Sequence, residues 1–276
     1  MKHNAIIMAA IMLVAACTKE AGQTEYAGAE KEICFNSGVV DINVGTKVTA
    51  TTVDNMSSFQ LLVTTGAEGS ETESWSATAT KSDGVRYITG RYWPAVNPQY
   101  HFYGANVTPT LASGRPVISA DGSQDIVVAA SRAPSFSEDN PMLFHHIYSM
   151  VGNVSVESNK GYTVSGVSVS IANAKTGGVY DIISSDWTST TTVNSLPLNV
   201  GENSALVVSG TSQVSVTFTI TKGDYTGTFT KTGNVVFPVG KICDLAVTIS
   251  SDPAVIVAFA VSVSEWSSKQ CSLNLL

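Results

Sequence analysis

Gln213-Val214-Ser215-Val216-Thr217-Phe218-Thr219-Ile220-Thr221, followed at once by Lys222-Gly223-Asp224, decides the fold class. Apolar Val214, Val216, Phe218 and Ile220 alternate with polar residues, which sends the two sets to opposite faces of an extended chain. The Lys-Gly-Asp that follows supplies a turn. Working outward, the same period recurs at Phe59, Leu61 and Val63, around Val164, Val167, Val169 and Ile171, and at Leu245, Val247 and Ile249. Further turn signals stand at Asp83-Gly84, Asp121-Gly122, Asn159-Lys160-Gly161, Gly177-Gly178 and Val239-Gly240-Lys241. Helical periodicity is almost absent, so the expectation is an all-β protein of antiparallel β-sandwiches.

The chain has 276 residues, 43% of them hydrophobic and 13% charged, enough apolar material for a packed core. Fifteen Lys and Arg against 22 Asp and Glu give a net charge of -7, which leaves no basic surface for nucleic acid. Lys2 and His3 precede an apolar run from Ala5 to Ala16, too short for a permanent membrane span. Val14-Ala15-Ala16-Cys17 resembles a bacterial lipobox, with cleavage before Cys17 and lipid on its thiol; Lys19-Glu20 resembles a surface-export tag. The expected location is the outer membrane, facing outward. Residues 1–17 are then signal and lipidated cysteine, and 18–31 a tether.

Beyond the tether the length suits two sandwiches in tandem, 32–140 and 141–276, divided near the Pro-containing loop Ser131–Pro141. Of Cys34, Cys243 and Cys271, the pair Cys243 and Cys271 could be bridged; the alternative is buried thiols packing as small hydrophobes. His145-His146 is the most chemical-looking pair, but neighbours on a strand point to opposite faces. Asp121 and Asp125 could face a cation in one turn, without the ligand density of a dedicated loop. Trp75, Tyr92, Trp93, Tyr100, Phe102 and Tyr103 read either as core or as a sugar-stacking platform. GxSxG, P-loop and HExxH motifs are absent, as are metal-ligand spacings, so neither an enzyme nor a cofactor is expected.

Several segments in order resemble one family, the fimbrillin-like proteins that form the type V pili of Bacteroidales. They are Gly45-Thr46-Lys47-Val48-Thr49 before Ser58–Val63, Arg91-Tyr92-Trp93-Pro94 before Tyr100–Ala105, and Asp125–Ala129 before Leu143–Val151. Pro238-Val239-Gly240-Lys241 and Val263-Ser264-Glu265-Trp266 complete the set. The resemblance implies a lipid-anchored structural or adhesive pilus subunit of two transthyretin-like β-sandwich domains. A protease cuts after a basic residue and removes the first strand, and a partner subunit's C-terminal strand fills the groove. The matching basic residue is Lys47, where the family's processed subunits carry arginine; this points to a lysine-cutting protease or an uncleaved subunit. The first strand would lie within Lys31 to Val44. The connector would be the strand bearing Val255, Val257, Phe259, Val261 and Val263, whose alternate residues Ala254, Ile256, Ala258 and Ala260 are apolar too. Partners are then other pilus subunits and a host or glycan receptor. The rival reading is a monomeric surface lipoprotein binding glycans through its aromatics.

Overall fold

The computed structural model describes residues 31–39, 56–84, 86–94, 99–131, 140–158, 163–201, 205–250 and 256–265. Cys17, Lys47, Asn159–Gly161, Val255 and Cys271, all singled out in the sequence, lie outside these residues.

The strands are β1 Glu32–Val39, β2 Ser58–Thr65, β3 Thr72–Asp83, β4 Arg86–Tyr92, β5 His101–Ala105 and β6 Thr110–Ala112. They continue as β7 Arg115–Ala120, β8 Val127–Ser131, β9 Asn140–His146, β10 Ser149–Ser158, β11 Thr163–Asp181 and β12 Asp186–Leu198. Last come β13 Ala205–Val207, β14 Gly210–Lys222, β15 Tyr225–Phe237, β16 Lys241–Ser250 and β17 Ile256–Glu265. No helix occurs among the described residues, and the all-β expectation is met.

Seven strands close into a barrel in the order β1-β4-β3-β2-β5-β8-β9. Its interior is filled by alternate residues, among them Ile33, Phe35, Phe59, Leu61, Val63, Tyr87, Phe102 and Phe144. The remaining strands form a four-stranded sheet, β13-β10-β16-β17, and a larger one ordered β15-β14-β11-β7-β6 with β12 also paired to β11. Between these two sheets lies a core of Val169, Ile171, Val214, Val216, Phe218, Leu245 and Val247. A middle cluster joins Leu62, Tyr103 and Val128 of the barrel strands to Tyr180, Leu206 and Ile242 from the later ones. β9, starting at Asn140, completes the barrel, and the β6–β7 hairpin pairs with β11 in the larger sheet.

Two expectations are corrected. The sheets are not wholly antiparallel: β1 runs parallel to β9, and β10 parallel to β16. Alternation fixes which face a residue takes but not strand direction, and the long intervening chain permits parallel neighbours. Gly177-Gly178 is not a turn but lies inside the 19-residue strand β11, at a register irregularity against β12. A Cβ on Gly177 would overlap the Ala120 carbonyl, and one on Gly178 the Ser189 carbonyl, so glycine serves close backbone approach here. The Asp83-Gly84, Lys222–Asp224 and Val239-Gly240 signals do mark turns, joining β3 to β4, β14 to β15, and β15 to β16.

Within the larger sheet, Arg115 of β7 pairs with the buried Asp181 that ends the neighbouring β11. Burial alone would raise the Asp181 carboxyl; hydrogen bonds from Arg115, Ser184 and Ile183, with the Arg115 charge, outweigh it and hold the group low. The imidazole of His145 is pushed down by burial and then by His146. Both shifts lie below the unfolded values, so each group contributes stability above its unfolded pKa that is lost on acidification. For His145 the loss begins below about pH 6.5, and for Asp181 below about pH 4. The urea midpoint should therefore fall from pH 8 to pH 5, and an Asp181→Asn chain should lose part of the further fall below pH 4. A midpoint constant from pH 8 to pH 5 would contradict the burial of neutral His145.

Candidate assembly site

β1 is the seam of the barrel. It hydrogen-bonds antiparallel to β4, with Phe35 opposite Tyr87, and parallel to β9, with Phe35 opposite Asn140. Alternation sends Ile33 and Phe35 inward, where both are fully buried. Phe35 meets Phe102 edge to face at 5.1 Å between centroids and Phe59 at 6.0 Å. Side chains of the neighbouring strands also clasp the β1 backbone. Asn140 Nδ2 donates to the Cys34 carbonyl at 3.2 Å, and Thr89 Oγ1 donates to that of Ile33 at 2.9 Å. The Trp93 N–H donates to the Lys31 carbonyl at 2.9 Å.

β17 lies at the opposite end of the chain and at an edge of its sheet, paired antiparallel with β16 from Ser250↔Ile256 to Lys241↔Glu265. Val257, Phe259, Val261 and Val263 face the core between the two sheets but are only partly buried. Ala258, Ala260 and Ser262 are exposed. The ring of Phe259 occupies the space above Gly233 of β15, where a Cβ would overlap it. The strand is thus covered on one face and wet on the other, with apolar residues on both.

The other sequence candidates resolve separately. His146 is buried, with Nδ1 at 2.9 Å from Asp125 Oδ1, while His145 Nε2 lies 3.4 Å from the Tyr180 hydroxyl. The imidazoles diverge, as strand geometry requires. Asp125 turns inward onto His146, whereas Asp121 accepts from the Ser123 N–H, so the two carboxylates do not share a cation site. The Asp125–His146 contact was not legible: it depends on Val127↔His146 pairing between β8 and β9, for which the sequence carries no local signal. Among the described residues no cluster suited to a metal occurs. Trp93, Phe102 and Tyr103 are buried, Trp75 and Tyr100 half-buried, and only Tyr92 is well exposed, so the aromatics are mainly core. Cys243 is a free, buried thiol, its pKa pushed up to about 12 by burial and by Asp244. Cys34 is free and receives a hydrogen bond from Arg86 at 3.1 Å.

A sequence model of the fimbrillin-like family matches residues 46–266. No curated protein matches the chain. In three dimensions it is similar to a candidate cell adhesion protein from Parabacteroides distasonis, with a TM-score of 0.56 and 12% identity over 90% of this chain and 100% of that one. A candidate cell adhesion protein from Bacteroides ovatus gives 0.50 and 12%, covering 88% and 100%. A fimbrial assembly protein from Parabacteroides distasonis gives 0.46 and 8%, covering 85% and 99%. At such identities the structural likeness speaks for the fold alone.

Proposed function

The chain belongs to the fimbrillin-like family, and from that premise we propose that it is a structural or adhesive pilus subunit, exported as a lipoprotein and assembled by strand exchange between copies. It would stand at the cell surface, held in the outer membrane through lipid on Cys17, and it carries a structural role rather than catalysis. In this reading the barrel and the paired sheets are two transthyretin-like units in tandem, and the partners are other pilus subunits, with a host or glycan receptor beyond them. The family match over residues 46–266 supports the assignment.

The observation that carries it is the seating of β1. One strand, which precedes Lys47 in the chain, closes the barrel and supplies two fully buried side chains to its core. Cleavage after Lys47 and loss of β1 would leave backbone donors and acceptors of β4 and β9 unpaired beside an apolar groove lined by Phe59, Phe102 and Phe144. A strand that fills it must present large apolar residues at every second position, as Phe259 and Val261 do on β17. These side chains are half-covered at home and would be fully covered in the groove, which supplies a driving force at about 25 cal/mol per Å² of apolar surface removed from water.

Electron microscopy of cells with and without the gene tests the assignment: surface fibres should be present in the first and missing in the second. Fibres unchanged by deletion, together with glycan binding by an uncleaved monomer, would replace it with the rival surface lipoprotein. The anchor is checked separately. Cys17→Ala should abolish palmitate labelling, and equal label in both chains would remove the lipid anchor from the proposal.

A further inference from the structure

Sheet edges are where chains join, because an edge strand presents unpaired N–H and C=O groups; proteins guard them by brevity, charge or bulges. The closed barrel has no edge. In the later sheets, β6 and β13 are only three residues long. β15 carries exposed Lys231 in mid-strand, and the start of β11 is bulged between Ser165 and Ser168. β17 is the edge that the proposed exchange uses. β12 is guarded only at its start, by Asp186 and by a bulge that leaves Thr188 without a partner residue on β11; from Ser189 onward it carries neither charge nor bulge of its own.

Among the described residues β12 is paired on one side only, to β11. From Trp187 to Leu198 it contains no charge and no glycine, and its proline stands near the end, at 197. Consecutive Ser189, Thr190, Thr191 and Thr192 are all exposed, so neither face of the strand is covered there. A long, β-branched, uncharged edge open on both faces is a pairing surface.

Its chemistry selects the occupant. An apolar strand such as β17 would leave its side chains wet against this edge, whereas a Ser/Thr strand would match it. The same chain already holds such a match. Thr217 meets Thr230 at 2.9 Å, Thr219 meets Thr228 at 3.1 Å and Thr221 meets Thr226 at 3.4 Å across the antiparallel pair β14–β15. Two copies of a chain carrying net charge -7 repel one another in general. The seam Ser189–Ser195 is a place where they meet without a like charge opposite a like charge. We infer that β12 is a self-pairing edge, through which two copies of this chain join β12 to β12, antiparallel, about a two-fold axis.

The larger sheet then runs continuously through both copies, from β15 of one to β15 of the other. This contact goes beyond strand exchange: it links subunits side by side rather than end to end. A single short seam is weak between free monomers, and it gains strongly when many copies are already held in line along two neighbouring polymers.

Single cysteines placed at each position from Ser189→Cys to Ser195→Cys, in the full chain carrying Cys271→Ser, test the seam by copper-phenanthroline oxidation on expressing cells. Disulfide-linked dimers should peak at the residue nearest the two-fold axis and fall at least fivefold two residues to either side. Absent or uniform cross-linking over the whole stretch overturns the inference. Independently, the double substitution Thr190→Lys with Thr192→Lys should leave the thermal unfolding curve unchanged and abolish chemically cross-linked side-by-side dimers; dimers that persist overturn it as well. The lysine pair should still form protease-dependent polymers, so failure of this contact and failure of strand exchange read out separately.

Discussion

Phe35→Ala is expected to open the barrel at β1 and to cost about 3–5 kcal/mol, the range for deleting a fully buried phenylalanine side chain. Phe35 has no exposed surface and packs edge to face on Phe59 and Phe102, each of which makes further ring contacts, with Phe144 and with Trp93. The ring therefore has no route to a compensating contact, and the cavity would lie at the seam where only β1 bridges β4 and β9. Against a typical total of about 5–15 kcal/mol, such a loss is a large fraction of the stability. The urea midpoint of the precursor should drop by about 1–3 M. Leu143→Ala on neighbouring β9, an exposed side chain, should change it little. Equal midpoints for wild type and Phe35→Ala would mean that β1 does not close the barrel.

The second large effect is expected at Gly178. Its φ of +139° is closed to side-chain-bearing residues, and a Cβ would overlap the Ser189 carbonyl, a backbone atom that cannot swing aside. Gly177 beside it faces the Ala120 carbonyl in the same way, where β7 meets β11. Gly178→Ala should therefore disturb β11 against β12 and the adjoining β7–β11 pairing, costing about 3 kcal/mol or more, at the level of serious overpacking. Gly84→Ala is the control. Its φ of +46° is unfavourable, but a Cβ there would meet open space, so the cost should stay near 1–2 kcal/mol. Comparable midpoints for the two variants, measured by urea unfolding, would place the β11–β12 approach wider than described.

Strand identities were legible because period-2 alternation is itself the consequence of one buried and one open face. Val214, Val216, Phe218 and Ile220 are all buried, and so are Phe59, Leu61 and Val63. Pairing partners were not legible. The parallel neighbours β1–β9 and β10–β16 join segments far apart in sequence, and nothing in Ile33 or Phe35 says which strand lies beside it. Gly177-Gly178 was misread because glycine pairs signal both turns and close approaches, and only the neighbouring backbones of Ala120 and Ser189 distinguish them. At the C-terminus the sequence is apolar on both faces of the strand, a pattern that fits a strand covered on both sides. β17 is instead an edge with small Ala258 and Ala260 on the wet face and the larger Val257, Phe259 and Val261 inward, a division of side-chain size that the sequence already carried. The β12 edge was overlooked because a run of Ser and Thr reads as polar surface until its missing neighbour is known.

Strand exchange is tested most directly by treating the folded full-length precursor with a lysine-directed protease and resolving the products before and after heating in detergent. The wild-type chain should be cut first after Lys47, yield a new N-terminus at Val48, and convert to a ladder of heat-resistant oligomers. A chain lacking 254–276 should be cut at the same place and form no ladder. Cleavage after Lys47 that leaves only monomers, or a Lys47 that resists while other lysines are cut, would contradict assembly by removal of β1 and insertion of β17.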